Sequence, residues 1–202
     1  MLVETLGLSL IIGKLRKGKI RNLGKLHIRG WYLFIIGFIL EVISLTIVAN
    51  TKGRVSRFII DYFAIIHTFV FLMVIIGLVL NIRERWIWLT LIGTIMNFIP
   101  VLANDGRMPV STKGLINSHL YEQINLLKDN KILTHIIVDE NTRFYYLSDI
   151  IPIPKPYPLP KVISFGDILI GISIFLLIQY YMKVNFKGND SINFIDYRYF
   201  KV

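Results

Sequence analysis

Four long apolar runs are separated along the chain by short polar turns and one long polar segment. The runs cover residues 31–49, 58–80, 86–103 and 163–182. Each approaches or exceeds the roughly 20 helical residues that cross the hydrocarbon core of a bilayer. The pattern predicts an all-α polytopic membrane protein, a single membrane domain with four transmembrane helices.

The N-terminal segment 2–13 is also apolar, but it is short for a membrane span. We expect a short helix that either packs beside the spans or forms a fifth, partial span. A cleaved signal peptide has positive charges before its apolar stretch. Here Glu4 precedes the apolar residues and a basic cluster follows them, so we expect the segment to be retained.

The connecting segment, residues 104–162, is the one long polar stretch between spans. Apolar residues at helical spacing predict an amphipathic helix over about 115–128, which caps the bundle or lies on the membrane. The runs "ILTHIIV" and "TRFYYL" could form a hairpin around "DEN". Five of the chain's seven prolines alternate in "IPIPKPYPLP", which predicts an extended strut.

The hydrophobic fraction of 54% and the net charge of +10 fit this picture, because the basic residues lie between the apolar runs. Seven Lys and Arg residues fall within 14–29, so we expect this stretch and the tail 183–202 to be cytoplasmic. The connecting segment is then extracytoplasmic, at a bacterial cytoplasmic membrane. The three basic residues of 50–57 argue mildly against this orientation. The lipid bilayer is the expected partner and nucleic acid is not, although the basic cluster could also contact anionic lipid.

Two ionisable residues lie near the middle of predicted spans, where charge is costly and therefore functionally suggestive. Glu41 is in the first span and His67 is at similar depth in the second. They could pair across helices, either as a proton relay or as a structural contact that holds the helices together. Asp61 is expected about one turn inside the outer end of the second span.

The third span carries small and polar residues on one helix face, and this face continues into the polar stretch "NDGRMPVS". The face contains Gly93, Asn97, Pro100 and Asn104, and Arg107 follows it. The fourth span opens with "SFGD", in which Ser164 and Asp167 fit a helix-capping pattern. The capping interpretation is strong on its own. The alternative is an anion site at the outer membrane face, formed by this helix start and Arg107.

Three functions remain open from these residues. The leading hypothesis is binding or translocation of an anionic, phosphate-bearing lipid-like ligand, with Arg107 supplying charge and Asn104, Asn97, Ser164 and Asp167 completing the site. The second is a non-catalytic membrane subunit or assembly factor, whose partners are other membrane proteins. The third is a membrane enzyme acting on a lipid headgroup, with Asp167, Asp149 or His119 as base.

The histidine and cysteine content limits which cofactors the chain could bind. The sequence contains no Cys, which removes disulfides and thiol catalysis. His67 alone of the four histidines is expected within a span, so a haem with two histidine ligands is not expected. The spacing of His, Asp and Glu indicates no metal, and no cofactor is predicted.

The motifs "ANDGRMPVS", "SDIIPIP" and "SFGDILIGISIF" together resemble those of an uncharacterised family of small polytopic membrane proteins from Gram-positive bacteria. The family pattern is similar to N-G-G-R-M-P-V, followed by a Pro-rich stretch with Asp and then by S-x-G-D at the last span. Asp105 stands here where that pattern has Gly. The resemblance implies no activity, but it implies that the three motifs meet at the outer mouth of the helix bundle.

Overall fold

The structure is a computed structural model that describes residues 2–184, so most of the predicted tail 183–202 lies outside the described residues. The described chain is mostly helical. The α-helices are α1 (Leu2–Leu15), α2 (Trp31–Asn50), α3 (Arg54–Asp61), α4 (Phe63–Leu80), α5 (Ile87–Ala103), α6 (Thr112–Asn117), α7 (Tyr121–Lys128) and α8 (Phe165–Lys183). Two 3-10 helices cover Ile20–Lys25 and Tyr145–Leu147.

Three of the helices in residues 2–184 are long and apolar enough to cross a membrane, namely α2, α4 and α8. A fourth, α5, is apolar but has 17 residues. In α2 the buried positions are Gly37 and Ser44, whereas Phe38 is 67% exposed. A helix that turns its apolar side chains outward in this way is typical of a membrane span. These features are those of a membrane protein.

The predicted second span, 58–80, is divided in the structure at Tyr62. The polar helix α3 ends at Asp61, and α4 begins at Phe63. At Tyr62 the backbone leaves helical geometry, with φ −103° and ψ 10°. The division has a physical reason, because α3 is amphipathic and its sequence contains two arginines and one aspartate, residues that a membrane span rarely tolerates. Asp61 therefore terminates a separate helix instead of lying one turn inside a span.

The helices pack in the order α2, α4, α5, α8 and α1. The contact of α1 with α8 extends along both helices. Gln179 Nε2 donates a hydrogen bond to the Ser9 carbonyl over 2.7 Å, and Glu4 pairs with Lys161 just before α8. Near the other end, a Cβ on Gly13 would lie 2.3 Å from the Met182 sulfur. The two helices consequently run side by side in the same direction.

The connecting segment departs from the all-α expectation, since it contains four short strands. These are β1 (Met108–Val110), β2 (His135–Ile137), β3 (Ile151–Ile153) and β4 (Lys161–Ile163). Strand β1 pairs in parallel with β2, and β3 pairs antiparallel with β4. An apolar core of Val110, Leu115, Ile124 and Leu127 holds the segment together.

The amphipathic helix predicted over 115–128 is two helices, α6 and α7. The chain turns between them at His119, whose φ is +58°. Ile116 belongs to the predicted apolar face but is 45% exposed, whereas Leu115 is buried. One continuous helix would not bring Leu115 and Leu127 into the same core, and the turn does so.

The predicted hairpin around "DEN" is not formed. Strand β2 pairs with β1 instead, and residues 145–147 are a 3-10 helix. The Met108 amide also donates to the Thr134 carbonyl over 2.8 Å, so that this stretch has β1 as its backbone partner and not the adjacent "TRFYYL". The proline-rich stretch is extended only at its start and folds back after β3, because β4 supplies the partner for its backbone.

Candidate functional site

The predicted site residues Asn97, Ser164 and Asp167 form one hydrogen-bonded network between α5 and α8. Asn97 Nδ2 donates to Asp167 Oδ1 over 2.9 Å, and Ser164 Oγ donates to Asn97 Oδ1 over 2.7 Å. The capping box at the start of α8 completes the network, because the Asp167 amide donates to Ser164 Oγ and the Ser164 amide donates to Asp167 Oδ2. We call these three residues the polar network.

Two glycines let the helices approach closely enough for the polar network to form. A Cβ on Gly93 would lie 2.6 Å from the Gly166 carbonyl oxygen, and a Cβ on Gly166 would lie 2.0 Å from Asn97 Oδ1. Within the network each carboxylate oxygen and the Ser164 hydroxyl already has a partner. This arrangement stabilises the contact of α5 with α8 and leaves little hydrogen-bonding capacity for a ligand.

Asn104 is 8% exposed and its side chain is bonded to protein backbone. Its amide nitrogen donates to the carbonyls of Pro100 and Arg143, and its oxygen accepts the Arg143 amide over 2.9 Å. Asn81, which the sequence interpretation did not single out, makes the same kind of contact with the backbone of Arg29 at the other end of the bundle. Each asparagine directly follows a helix, Asn81 after α4 and Asn104 after α5, and bonds that helix end to backbone that is distant in sequence.

The turn that presents Arg107 requires a left-handed backbone. Asp105 has φ +53° and Gly106 has φ +71°. A side chain at position 106 is disfavoured by this positive φ, and it is also excluded sterically because a Cβ there would lie 2.4 Å from the Ala64 Cα atom. Position 105 is one where Gly is favoured and Asp is tolerated. The Gly of the similar family pattern and the Asp of this chain are therefore both compatible with the turn.

His67 fixes this turn to α4. Its Nδ1 lies 2.6 Å from the Gly106 carbonyl oxygen, which can only accept, so Nδ1 carries the proton. Its Nε2 lies 3.5 Å from Glu41 Oε1 on α2. The structure thus brings together the two intramembrane residues singled out in the sequence. It also joins them to the turn, a link that sequence spacing does not reveal.

Arg107 lines a cleft of about 470 Å³ between the α3–α4 junction and β2. Its guanidinium makes no hydrogen bond or ion pair within residues 2–184. Asp61 and Asp105 line the same cleft and have no ion-pair partner in that part of the chain either. We call this the Arg107 cleft; its lining residues are Ile60, Asp61, Phe63, Ala64, Asn104, Asp105, Arg107 and Ile136.

A second, more open cleft of about 420 Å³ adjoins the first and shares Asp61 with it. It adds Arg54, Arg57 and Phe58 of α3. The sequence interpretation counted these arginines only as charge on a short loop. The signal that could have found them is the amphipathic pattern of 54–61, which predicts a helix that lies outside the span.

The predicted site is therefore divided. Arg107 and Asn104 border the Arg107 cleft, whereas Asn97, Ser164 and Asp167 do not line it.

Ser111 and His119 shape the connecting segment around α6. The Ser111 Oγ accepts a hydrogen bond from the Gly114 amide and caps α6, and His119 lies in the turn before α7.

Asp149 is a buried carboxylate beside the sheet of β1 and β2. Its Oδ2 lies 3.4 Å from His135 Nε2, while its Oδ1 has no hydrogen-bond partner among the described residues. Burial raises the pKa of Asp149, and His135 opposes this effect. Ile136 lines the Arg107 cleft, so the alternation of side chains along β2 directs its neighbour His135 to the opposite face. No group of three or more His, Asp or Glu side chains suited to a metal occurs in residues 2–184.

Comparison with known proteins identifies a family but no activity. The chain is 27% identical over 191 residues to an uncharacterized protein of Thermotoga maritima, and this alignment covers 95% of the chain and 96% of the relative. No solved structure matches the chain. The model of a family of unknown function, DUF5317, matches residues 25–179. Since that match covers well over half of the sequence, the chain belongs to this family.

Proposed function

We propose that this protein binds a phosphate-bearing, lipid-like headgroup in the Arg107 cleft at the outer face of the membrane. The observation that carries the proposal is an unpaired arginine in a preformed cleft. Arginine presents a planar fork of donors that matches phosphate oxygens, and a partly desolvated guanidinium gains most from such a partner. Arg54 and Arg57 in the adjoining cleft add positive charge on the same approach.

The neighbouring helix α3 supports a lipid as the source of that headgroup. Val55 and Phe58 are 62% and 58% exposed although they are apolar, and Arg54 and Arg57 lie on the same short helix. Basic and exposed apolar residues on one helix are typical of segments that lie in the membrane interface. Acyl chains beside α3 would leave a headgroup within reach of the cleft.

The proposed topology has four spans, α2, α4, α5 and α8, with α1 as a fifth, partial crossing. Helix α1 runs in the direction of α8, which agrees with alternating directions if the N-terminus is outside. The basic stretch 14–29 is then cytoplasmic, as the positive-inside bias requires, and the connecting segment is extracytoplasmic. Because the chain has no Cys, single cysteines can test this. Glu140→Cys should react with an impermeant maleimide in intact cells and Arg83→Cys only after lysis; the reverse would overturn the orientation.

The binding proposal is tested by lipid co-purification. Wild type, Arg107→Ala and Arg83→Ala are purified in mild detergent and examined by native mass spectrometry. Arg83 is a matched control, since it is an exposed arginine on the α4–α5 turn. We expect bound phospholipid to fall about tenfold in Arg107→Ala, equivalent to roughly 1.4 kcal/mol, and to be unchanged in Arg83→Ala. Equal lipid in all three proteins, or recovery of a stoichiometric protein partner without lipid, would overturn the proposal in favour of a subunit role.

A further inference from the structure

The Arg107 cleft contains unpaired charges of both signs. Arg107 supplies one cation, and Asp61 and Asp105 supply two carboxylates. None of the three is within ion-pair distance of an opposite charge in residues 2–184, although they line one cleft. Asp105 and Gly106 are the left-handed residues of the turn that leads to Arg107.

A headgroup that carries only a phosphate would leave Asp61 and Asp105 in this cleft without a partner. Its phosphate would pair with Arg107, but it would also face the exposed carboxylates of Asp61 and Asp105, and like charges repel. A ligand that carries a phosphate and a cation would satisfy both sets of charges. A primary ammonium offers three hydrogen-bond donors to carboxylates, whereas a quaternary ammonium offers none.

The apolar lining is consistent with a compact amine. Ile60, Phe63 and Ile136 line the cleft together with the charged groups. Phe63 is the single aromatic residue among the lining residues, whereas a cage that recognises quaternary ammonium is built from several aromatic rings. Polar recognition of the amine therefore rests on Asp61 and Asp105. We infer that the Arg107 cleft selects a phosphate ester that bears a primary amine, such as a phosphoethanolamine headgroup, with Arg107 on the phosphate and Asp61 and Asp105 on the ammonium. This inference rests on the proposed function, because it presupposes that the cleft binds a headgroup.

The test compares lipids that differ only in their headgroup. Delipidated protein is given phosphatidylethanolamine, phosphatidylcholine and phosphatidylglycerol with identical acyl chains, and bound species are counted by native mass spectrometry. We expect wild type to retain phosphatidylethanolamine about tenfold over each of the other two. Asp61→Asn and Asp105→Asn should each reduce this preference severalfold, and the double variant should bring the three lipids to near parity. Asp129 is an exposed aspartate at the end of α7, and Asp129→Asn should leave the headgroup preference unchanged.

The outcomes separate this inference from the proposed function. If Arg107→Ala loses all three lipids but wild type prefers phosphatidylglycerol or shows no preference, headgroup binding survives and amine selection is wrong. If no lipid depends on Arg107, both are wrong. Unfolding temperatures are measured for every variant, and the asparagine substitutions are chosen because they preserve shape and are tolerated at the left-handed position 105.

Soluble competitors identify the source of the ligand. Phosphoethanolamine that displaces bound phosphatidylethanolamine, when inorganic phosphate at the same concentration does not, indicates that the headgroup alone suffices. If the protein still prefers phosphatidylethanolamine but phosphoethanolamine does not displace it, the acyl chains contribute to binding. Displacement by inorganic phosphate as effectively as by phosphoethanolamine would overturn amine recognition.

Discussion

The polar network and the Arg107 cleft contain similar residues but differ in how their polar groups are satisfied. In the polar network, Asn97, Ser164 and Asp167 bond to each other and to the start of α8. In the Arg107 cleft, Arg107, Asp61 and Asp105 line an open volume without pairing. The first arrangement gains stability by closing on itself. The second leaves Asp61 and Asp105 exposed and Arg107 half-buried, so that these charges stay available to a ligand.

This difference separates structure from function more reliably than residue type does. Both groups lie near the end of α5, and both were candidates for one anion site on the sequence. A substitution in the polar network should lower the stability of the fold, while the protein that does fold keeps its headgroup preference. A substitution in the cleft should change the headgroup preference and leave the stability nearly unchanged.

The largest expected effect is that of Gly166→Ala on stability. The added Cβ would lie 2.0 Å from Asn97 Oδ1 and 2.6 Å from the Gly93 carbonyl oxygen, so α5 and α8 must separate. We expect a loss of unfolding free energy on the order of 3 kcal/mol, measured by thermal or denaturant unfolding in detergent. Gly7→Ala is the matched control, since a Cβ there meets nothing within 4 Å. An unchanged Gly166→Ala protein would show that the helices do not pack at this point.

The next effect in size is that of Asn97→Leu, which removes the central member of the polar network at similar volume. Asp167 Oδ1 and Ser164 Oγ would each lose a partner, and leaving buried polar groups unpaired costs about 1–3 kcal/mol. Arg107→Ala provides the contrast, because its side chain makes no bond in the described chain and we expect a change within about 0.5 kcal/mol. Similar losses in both variants would remove the distinction between the two regions.

His67→Phe should modestly lower both the stability of the fold and the retention of phospholipid. The aromatic ring can still contact Phe63 and Phe71, while the hydrogen bond to the Gly106 carbonyl and the contact with Glu41 are lost. We expect a loss of about 1 kcal/mol in stability and an approximately fivefold weaker retention of phospholipid, because the turn bearing Arg107 is less well fixed. Thr68→Val, one position along α4, is the control. If lipid retention is unchanged, His67 supports the fold alone and does not position Arg107.

The sequence predicted the long helices well because their signal is local. The apolar runs 31–49 and 86–103 agree with helices α2 and α5 to within one residue at each end, since a run of apolar side chains and its polar ends determine a long apolar helix. The capping box of Ser164 and Asp167 is likewise local and is present in the structure. The expectation of a family without known activity is confirmed by the family match.

The connecting segment was predicted less well because its pairing is not local. Strand β2 pairs with β1, which precedes it by more than twenty residues, instead of with the adjacent "TRFYYL". The same limit applied to the site. Helical periodicity placed Asn97 and Asn104 on one face, followed by Arg107, but it could not show that Asn104 is bonded to the Arg143 backbone. Nor could it show that Asp61 of α3 faces the same cleft as Arg107.

The smallest expected effect concerns Asp149, which belongs neither to the polar network nor to the Arg107 cleft. It tests whether partner satisfaction distinguishes structural polar groups from available ones. It is buried, yet Oδ1 lacks a partner among the described residues. Burial raises its pKa above the ordinary value of 3.8, so the folded state releases this proton at a higher pH than the unfolded state does. The contribution of Asp149 to stability therefore falls as the pH rises from about 4 through the raised pKa.

Asp149→Asn should remove that loss, because a neutral amide costs less to bury than an ionised carboxylate. The variant should unfold at a higher temperature than wild type at pH 7, and the difference should shrink as the pH approaches 4. Unfolding temperatures measured between pH 4 and pH 8 check this, with the exposed Asp129→Asn as control. A variant that is less stable at pH 7 would mean that the ionised carboxylate is held by His135, and that Asp149, like the polar network, is a satisfied structural group.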